Sequence, residues 1–251
     1  MLYGRVAQLV RALHSHCKGL WFESRRDHMN KKNVIFCLTW IVVLSFAFVT
    51  LINAPPLIFP VTASVKLTNL FLRGLGLIAF SMLFVQIVLG AFIDKFAKKF
   101  GSWVYKFHIF EGIITYLLIF LHPVFFVIFN YLLGSKFDPY VAFVNICLLC
   151  KTPLDYFYSI GRISFILLSI TSFAALFRNA NPWLKTNWSK FHTLNYFIFI
   201  FIGIHGYYLG SDFRSQPFFT FAILAYLTVL GIVIFIKIPD FYKKFKLWVK
   251  D

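Results

Sequence analysis

The sequence predicts an all-α polytopic membrane protein, a bundle of six transmembrane helices, on three observations. Hydrophobic residues make up 60% of the 251, with 34 Phe and only 14% charged residues, and the mean hydropathy is +0.77. A soluble domain carries about half apolar and about a quarter charged residues. The apolar residues also gather into six runs of about 19 to 30 residues, each long enough to cross a hydrocarbon core about 30 Å thick. Finally, Lys and Arg lie at the ends of these runs and between them, with a clear excess on one side.

The runs cover residues 33–53, 69–93, 104–133, 159–177, 190–210 and 218–238. The first follows Lys31 and Lys32, which places its start on the cytoplasmic side. Arg73 opens the second run on the far side, Asp94, Lys95, Lys98 and Lys99 separate it from the third, and Lys106 lies at the start of the third. The third holds His108, Glu111 and His122 and ends before Lys136 and Lys151; the fourth carries Arg162 near its outer end. Arg178, Lys185 and Lys190 precede the fifth, which holds His192 and His205, and the sixth runs into Lys237, Lys243, Lys244, Lys246 and Lys250. Both ends of the membrane domain are therefore expected in the cytoplasm, with the chain integral to the cytoplasmic (inner) membrane. The formal net charge of +16 is accounted for by cations beside anionic headgroups, without nucleic acid.

Residues 1–28 are expected to be a spurious extension. From Gly4 to His28 they read GRVAQLVRALHSHCKGLWFESRRDH, which resembles a peptide obtained by translating a transfer-RNA gene, and they contain no apolar run able to span a bilayer. The alternative is a basic amphipathic arm at the membrane surface. Met29 is the expected start of a single membrane domain, residues 29–251.

Beyond that leader the sequence keeps four histidines, all inside apolar runs. His108 and His122 are 14 residues apart, and His192 and His205 are 13 apart. An imidazole in hydrocarbon is costly unless something binds it. With the third and fifth runs both pointing outward, His108 and His192 share one depth and His122 and His205 another, about 20 Å away at 1.5 Å per residue. Two pairs at two depths suggest two stacked metal centres, and haem fits them. One geometric test fails: at about 100° per residue, 13 residues leave His205 about 140° from His192 on an ideal helix. Either His192 lies where the helix is just starting, after Asn187, Trp188 and Ser189, or the helix is distorted near Gly203.

These residues resemble the ferric-reductase-like transmembrane domain shared by ferric reductases, NADPH oxidases and the haem-binding subunit of bacterial methionine sulfoxide reductase. The likeness covers roughly residues 69–239. It is carried by KFHIFEGIITYLLIFLHP, with His108 and His122, and by NWSKFHTLNYFIFIFIGIH, with His192 and His205. It implies two b-type haems, the inner held by His108 and His192 and the outer by His122 and His205. It also favours Arg73, near the start of the second run, as a partner for porphyrin propionates; Arg162 is the other candidate cation at the membrane edge.

The departures are informative. Sulfoxide reductase subunits share the Trp-x-x-x-His pattern seen here as Trp188 and His192 but generally lack a histidine at the place of His108, which favours the two-haem branch. Oxidases resemble one another in a histidine one turn past the outer ligand; here that residue is Phe126, so dedicated superoxide production is not expected. No Gly-x-Gly-x-x-Gly occurs, so electrons are expected from a separate cytoplasmic flavoprotein reductase or from quinol. Iron with imidazole on both axial faces passes single electrons and has no vacant position for substrate. The expected role is electron transfer to an outer acceptor such as ferric iron, an oxidoreductase component lacking its own flavin and nicotinamide domains. The alternatives are the haem-binding subunit of a periplasmic sulfoxide reductase system, or a non-haem transporter or structural subunit.

Two further features are expected to matter less. Glu111 is a carboxylate deep in a span, able to bond a ligand's free nitrogen, relay protons, or face Lys106 near the interface. Cys147 and Cys150 lie in PYVAFVNICLLC, too short to span. A disulfide on an oxidising face is one reading, and two unpaired structural cysteines is the preferred one.

Overall fold

The computed structural model describes residues 31–55, 57 and 61–239. The expectations for residues 1–28, and for the basic stretch after residue 239, lie outside the described residues. The chain divides into two compact units, residues 1–37 and 38–251. Helix α1 (Lys31–Ile52) begins in the first unit and continues into the second, which holds every other element.

Of the described residues, 83% are helical and none lies in a strand. In order they form α2 (Ala63–Ala91), α3 (Ile93–Phe100), α4 (Trp103–Leu132), α5 (Pro139–Phe143), α6 (Pro153–Leu176), α7 (Pro182–Thr193), α8 (Asn195–Leu209), a 3-10 turn (Asp212–Arg214) and α9 (Phe218–Ile232), extended by a π turn (Val233–Lys237). Short polar residues set the starts. Thr152 and Asp155 make a reciprocal capping box ahead of Pro153, and Asn181 accepts from the Leu184 amide at 2.7 Å ahead of Pro182. Gly101, at φ +109°, ends α3 in a conformation that a side chain would oppose.

Among the described residues, five helices are long and apolar enough to cross a membrane: Asn33–Ile52, Ala63–Ala91, Trp103–Leu132, Pro153–Leu176 and Phe218–Lys237. The fifth expected run, 190–210, is not one helix. It breaks at Leu194, so that His192 ends α7 and α8 starts at Asn195. The 15 residues of α8 rise about 22 Å.

In the second unit α2 lies along α4, α6 lies along α8 and against α7, and α9 closes on α2 and α8. The core where α2, α8 and α9 meet is aromatic. Phe80 stacks on Phe199 with ring centroids 4.7 Å apart and meets Phe213 edge-on at 5.0 Å, while Phe218 and Phe221 complete the cluster. Such pairs add about 0.5–1.5 kcal/mol to the burial of their area. Polarity is otherwise inverted relative to a soluble bundle: Ser81, Ser164 and Thr171 are fully buried, whereas Phe110, Ile113, Leu224 and Leu227 are exposed. Hydroxyls close on their own helix carbonyls, as Ser164 does on Ile160 at 2.7 Å, and a broad apolar exterior is what lipid rather than water would cover.

The preference for unpaired cysteines is corrected. Cys147 and Cys150 form a disulfide, with Cα atoms 5.3 Å apart. After the short α5 the chain turns back on itself, and the Cys147 amide donates to Ser159 Oγ of α6 at 3.1 Å, which brings the two Cβ positions into bonding range. Leu148 and Leu149 are left at 85% and 93% exposure.

Candidate metal centre

Helix α4 carries two histidines 14 residues apart, about 21 Å along its axis. Each faces a histidine from the far side of the bundle, in the pairing expected from the sequence. His108 meets His192 with ring centroids 6.2 Å apart and planes at 85°; His122 meets His205 at 6.4 Å and 81°. The rotational mismatch disappears because no continuous helix joins His192 to His205. The break at Leu194 lets α7 and α8 point one ring each toward α4, and Gly203 has another job, leaving room for the Tyr226 ring, whose hydroxyl donates to the Ile200 carbonyl.

These separations suit one metal ion between each pair. A metal–imidazole bond of about 2.0–2.1 Å, plus roughly 1.1 Å from nitrogen to ring centre, puts two rings across one ion about 6.2–6.4 Å apart. Among the described residues no group of three or more His, Cys, Asp and Glu converges. Each pair therefore offers an ion two imidazoles.

At the His122–His205 level the ring orientation is fixed by main chain. Nδ1 of His122 lies 3.0 Å from the Leu72 carbonyl oxygen, and Nδ1 of His205 lies 2.9 Å from that of Phe157. A carbonyl can only accept, so each Nδ1 carries a proton and donates it, and each Nε2 keeps its lone pair for a metal. Four residues beyond each acceptor stands a glycine. A Cβ on Gly76 would come within 3.1 Å of His122 Cε1, and a Cβ on Gly161 would overlap the His205 ring. Sequence reasoning missed both; the available signal was a glycine inside an apolar run, where it weakens the helix unless something needs the space.

A cavity of about 680 Å³ opens at this level, lined by Arg73, Gly76, His122, Phe126, Gly161, Arg162 and His205. That volume falls within the range of cofactor sites, about 300–1,000 Å³. Both candidate cations thus reach the cavity wall. Arg73 is held by both oxygens of Asp212, a residue only 3% exposed that the sequence reading did not single out. Arg162 donates to the Asn145 carbonyl and lies 5.7 Å over the Tyr158 ring. Phe126 leans on Tyr158 with centroids 5.7 Å apart and keeps the wall apolar.

The His108–His192 level is built differently. The Trp188 ring lies 5.7 Å from that of His192, and the Arg178 guanidinium lies 5.2 Å over the Trp188 ring. Nδ1 of His192 lies 3.3 Å from the Asn195 amide. Nδ1 of His108 and Nε2 of Gln86 are buried without a hydrogen-bond partner among the described residues, while the buried Glu111 carboxylate lies near the Trp40 indole and the Thr115 hydroxyl. Glu111 is 2% exposed whereas Lys106 is exposed, so the interfacial pairing considered for Glu111 is not what the structure contains.

No family model, no curated protein and no solved structure matches this chain.

Proposed function

We propose that the chain is an integral membrane protein of the ferric-reductase-like kind, holding two b-type haems and passing single electrons between them across the bilayer. The observation that carries this reading is the two facing histidine pairs at ring separations of 6.2 and 6.4 Å, with the second pair held by carbonyls so that its metal-binding nitrogens stay bare. A porphyrin iron would supply the four in-plane nitrogens that neither pair provides, and a one-electron couple.

The chain's own residues do the rest. His108 and His192 would hold the inner group, and His122 and His205 the outer. Gly76 and Gly161 leave the room the outer rings occupy, and Phe126 and the other apolar wall residues keep water away. Arg162 and the Arg73–Asp212 pair stand where carboxylate substituents of the macrocycle need cations; with Asp212 already matched to Arg73, Arg162 is the stronger attractor. In this reading α8, joined to the last turn of α7, makes the sixth crossing, the Lys-rich connections face the cytoplasm, a separate flavoprotein or quinol donates electrons, and an outer acceptor such as ferric iron takes them.

The test is the visible spectrum of the full chain purified in detergent. Low-spin b-type Soret and alpha bands with two haems per chain are expected, and a colourless preparation from haem-replete cells overturns the reading. The rate at which ferric chelates, compared with oxygen, reoxidise the dithionite-reduced protein then ranks the acceptors.

A further inference from the structure

We infer that the groove between α6 and α7 is a binding site for an anionic phospholipid, with one acyl chain lying in the groove and the headgroup phosphate resting among Arg178, Lys185 and Lys190. The inference rests on the membrane part of the reading above and not on haem.

A cavity of about 580 Å³ lies between Phe165, Ile170 and Phe177 on one side and Trp183, Leu184 and Phe191 on the other. Phe165 and Phe177 are 12 residues apart, a rise of about 18 Å along a helix. One leaflet of a hydrocarbon core about 30 Å thick is about 15 Å deep, so the groove is as long as one leaflet's acyl chain. Its rim faces outward, with Ile170 and Phe173 exposed. Ser169 has the groove's one hydroxyl, and that group is already engaged. It donates to the Phe165 carbonyl at 2.8 Å and accepts from the Tyr116 hydroxyl at 3.0 Å. A quinol head in this groove would leave its own polar groups unpaired, whereas an acyl chain requires only the apolar wall.

Charge decides which lipid. Each cation is the chain neighbour of a groove residue: Arg178 follows Phe177, Lys185 follows Leu184, and Lys190 precedes Phe191. The sequence has no Asp or Glu between Asp155 and Asp212, and among the described residues none of the three cations is in an ion pair. Lys185 and Lys190 are exposed, and the Arg178 guanidinium is held over the Trp188 ring. Helix α7 is also amphipathic. At about 100° per residue Leu184, Trp188 and Phe191 share one side, and Lys185, Thr186, Ser189 and Lys190 the other. Its 12 residues are too few to cross a bilayer, and such a helix lies in the interface with its cations at headgroup level. A basic opening between helices is where an anionic headgroup binds.

The experiment uses the full chain in detergent, titrated with phosphatidylglycerol or phosphatidylcholine carrying brominated acyl chains. Bromine quenches tryptophan only at short range, so the Trp183 share of the emission, identified by its loss in Trp183→Phe, reports occupancy of the groove. Each cation beside the headgroup is worth about a fivefold change in affinity, so phosphatidylglycerol should quench at a concentration roughly 100-fold below phosphatidylcholine. Lys185→Gln with Lys190→Gln should reduce that preference to about fivefold. Ala174→Leu, which fills the groove, should abolish quenching by either lipid. Ile170→Phe, which fills it from the exposed rim, does the same if the Leu variant does not fold.

Quenching by the two lipids within twofold of each other overturns the inference. So does a preference unchanged in the double lysine variant, or full quenching in the filled variants. Displacement of brominated phosphatidylglycerol by an equimolar quinol makes the groove a quinol site and overturns it too. A chain retained in carbonate-washed membranes but showing no preference overturns the inference alone, and a chain that carbonate releases overturns the membrane reading with it. A colourless chain that still selects phosphatidylglycerol upholds the lipid site and overturns the haem reading alone.

Discussion

Adding one methyl group at Gly161 should dislodge His205, and the structure sets the size of the effect. A Cβ at that position falls among Nδ1, Cε1 and Cγ of His205, closer than real Cβ atoms approach anything. Restoring ordinary contact at about 3.5 Å requires the ring to retreat by about 1 Å. The bond from Nδ1 to the Phe157 carbonyl, now 2.9 Å, would then stretch beyond hydrogen-bonding range. Overpacking costs about 1–3 kcal/mol and the lost bond about 1 kcal/mol, against a gain of up to about 1 kcal/mol from replacing a helical glycine by alanine. The net loss of about 1–3 kcal/mol corresponds to roughly 5- to 150-fold weaker haem binding at that level.

Two other glycines make internal controls. At Gly76 the nearest ring atom is 3.1 Å away, so His122 must give by only a few tenths of an ångström. At Gly90 a Cβ would lie 3.5 Å from His108 Cε1, which is ordinary contact, so alanine there should be neutral or stabilising by about 0.5–1 kcal/mol. The assay is the Soret absorbance per protein, with the thermal midpoint alongside. Pigment should fall in the order Gly90→Ala, Gly76→Ala, Gly161→Ala; full pigment in Gly161→Ala, or equal loss in Gly90→Ala, would refute the account of why these glycines are there.

Alanine at His108 or at His192 should remove one haem, and alanine at His122 or His205 the other, so pigment per protein drops by half within a pair and to nothing when one member of each is replaced. Asp212→Asn leaves the Arg73 charge poorly matched in a partly buried place; thermal unfolding should show a loss of about 3 kcal/mol, mostly recovered when Arg73 is also made Leu. Replacing Cys147 and Cys150 together by Ser should cost at most about 2 kcal/mol, since the bond closes so short a loop, and should leave the spectrum untouched. Phe80→Ala, at the centre of the aromatic core, should destabilise the fold by about 3–5 kcal/mol in the same assay.

The helices and the histidine pairs were legible in the sequence because each rests on a signal with a length or a period. Apolar runs above a threshold length mark the long helices, and the similar spacing of the two histidine pairs, 14 and 13 residues, marks the two levels. What the sequence concealed were features made by contact between distant segments. The carbonyls of Leu72 and Phe157 look like any others until a ring from another helix arrives, and the glycines that admit those rings read only as weak points in a helix. Asp212 lies outside the apolar runs and acquires its importance by meeting Arg73, 139 residues away in sequence. The break at Leu194 was half visible: the angular conflict showed that the run could not be straight, but Leu194 itself has no residue type that stops helices. The disulfide was misjudged because the spacing of Cys147 and Cys150 allows a bond without requiring one, and the turn that brings the sulfurs together is anchored by Ser159 on another helix.

The discontinuity at Leu194 also separates the mechanics of the two histidine levels. On one side of the bundle His108 and His122 ride on a single helix and shift together; on the other, His192 and His205 belong to consecutive helices joined by the single turn at Leu194. A tilt of α7 would therefore change the ring spacing at the His108–His192 level and leave the His122–His205 level at its resting value.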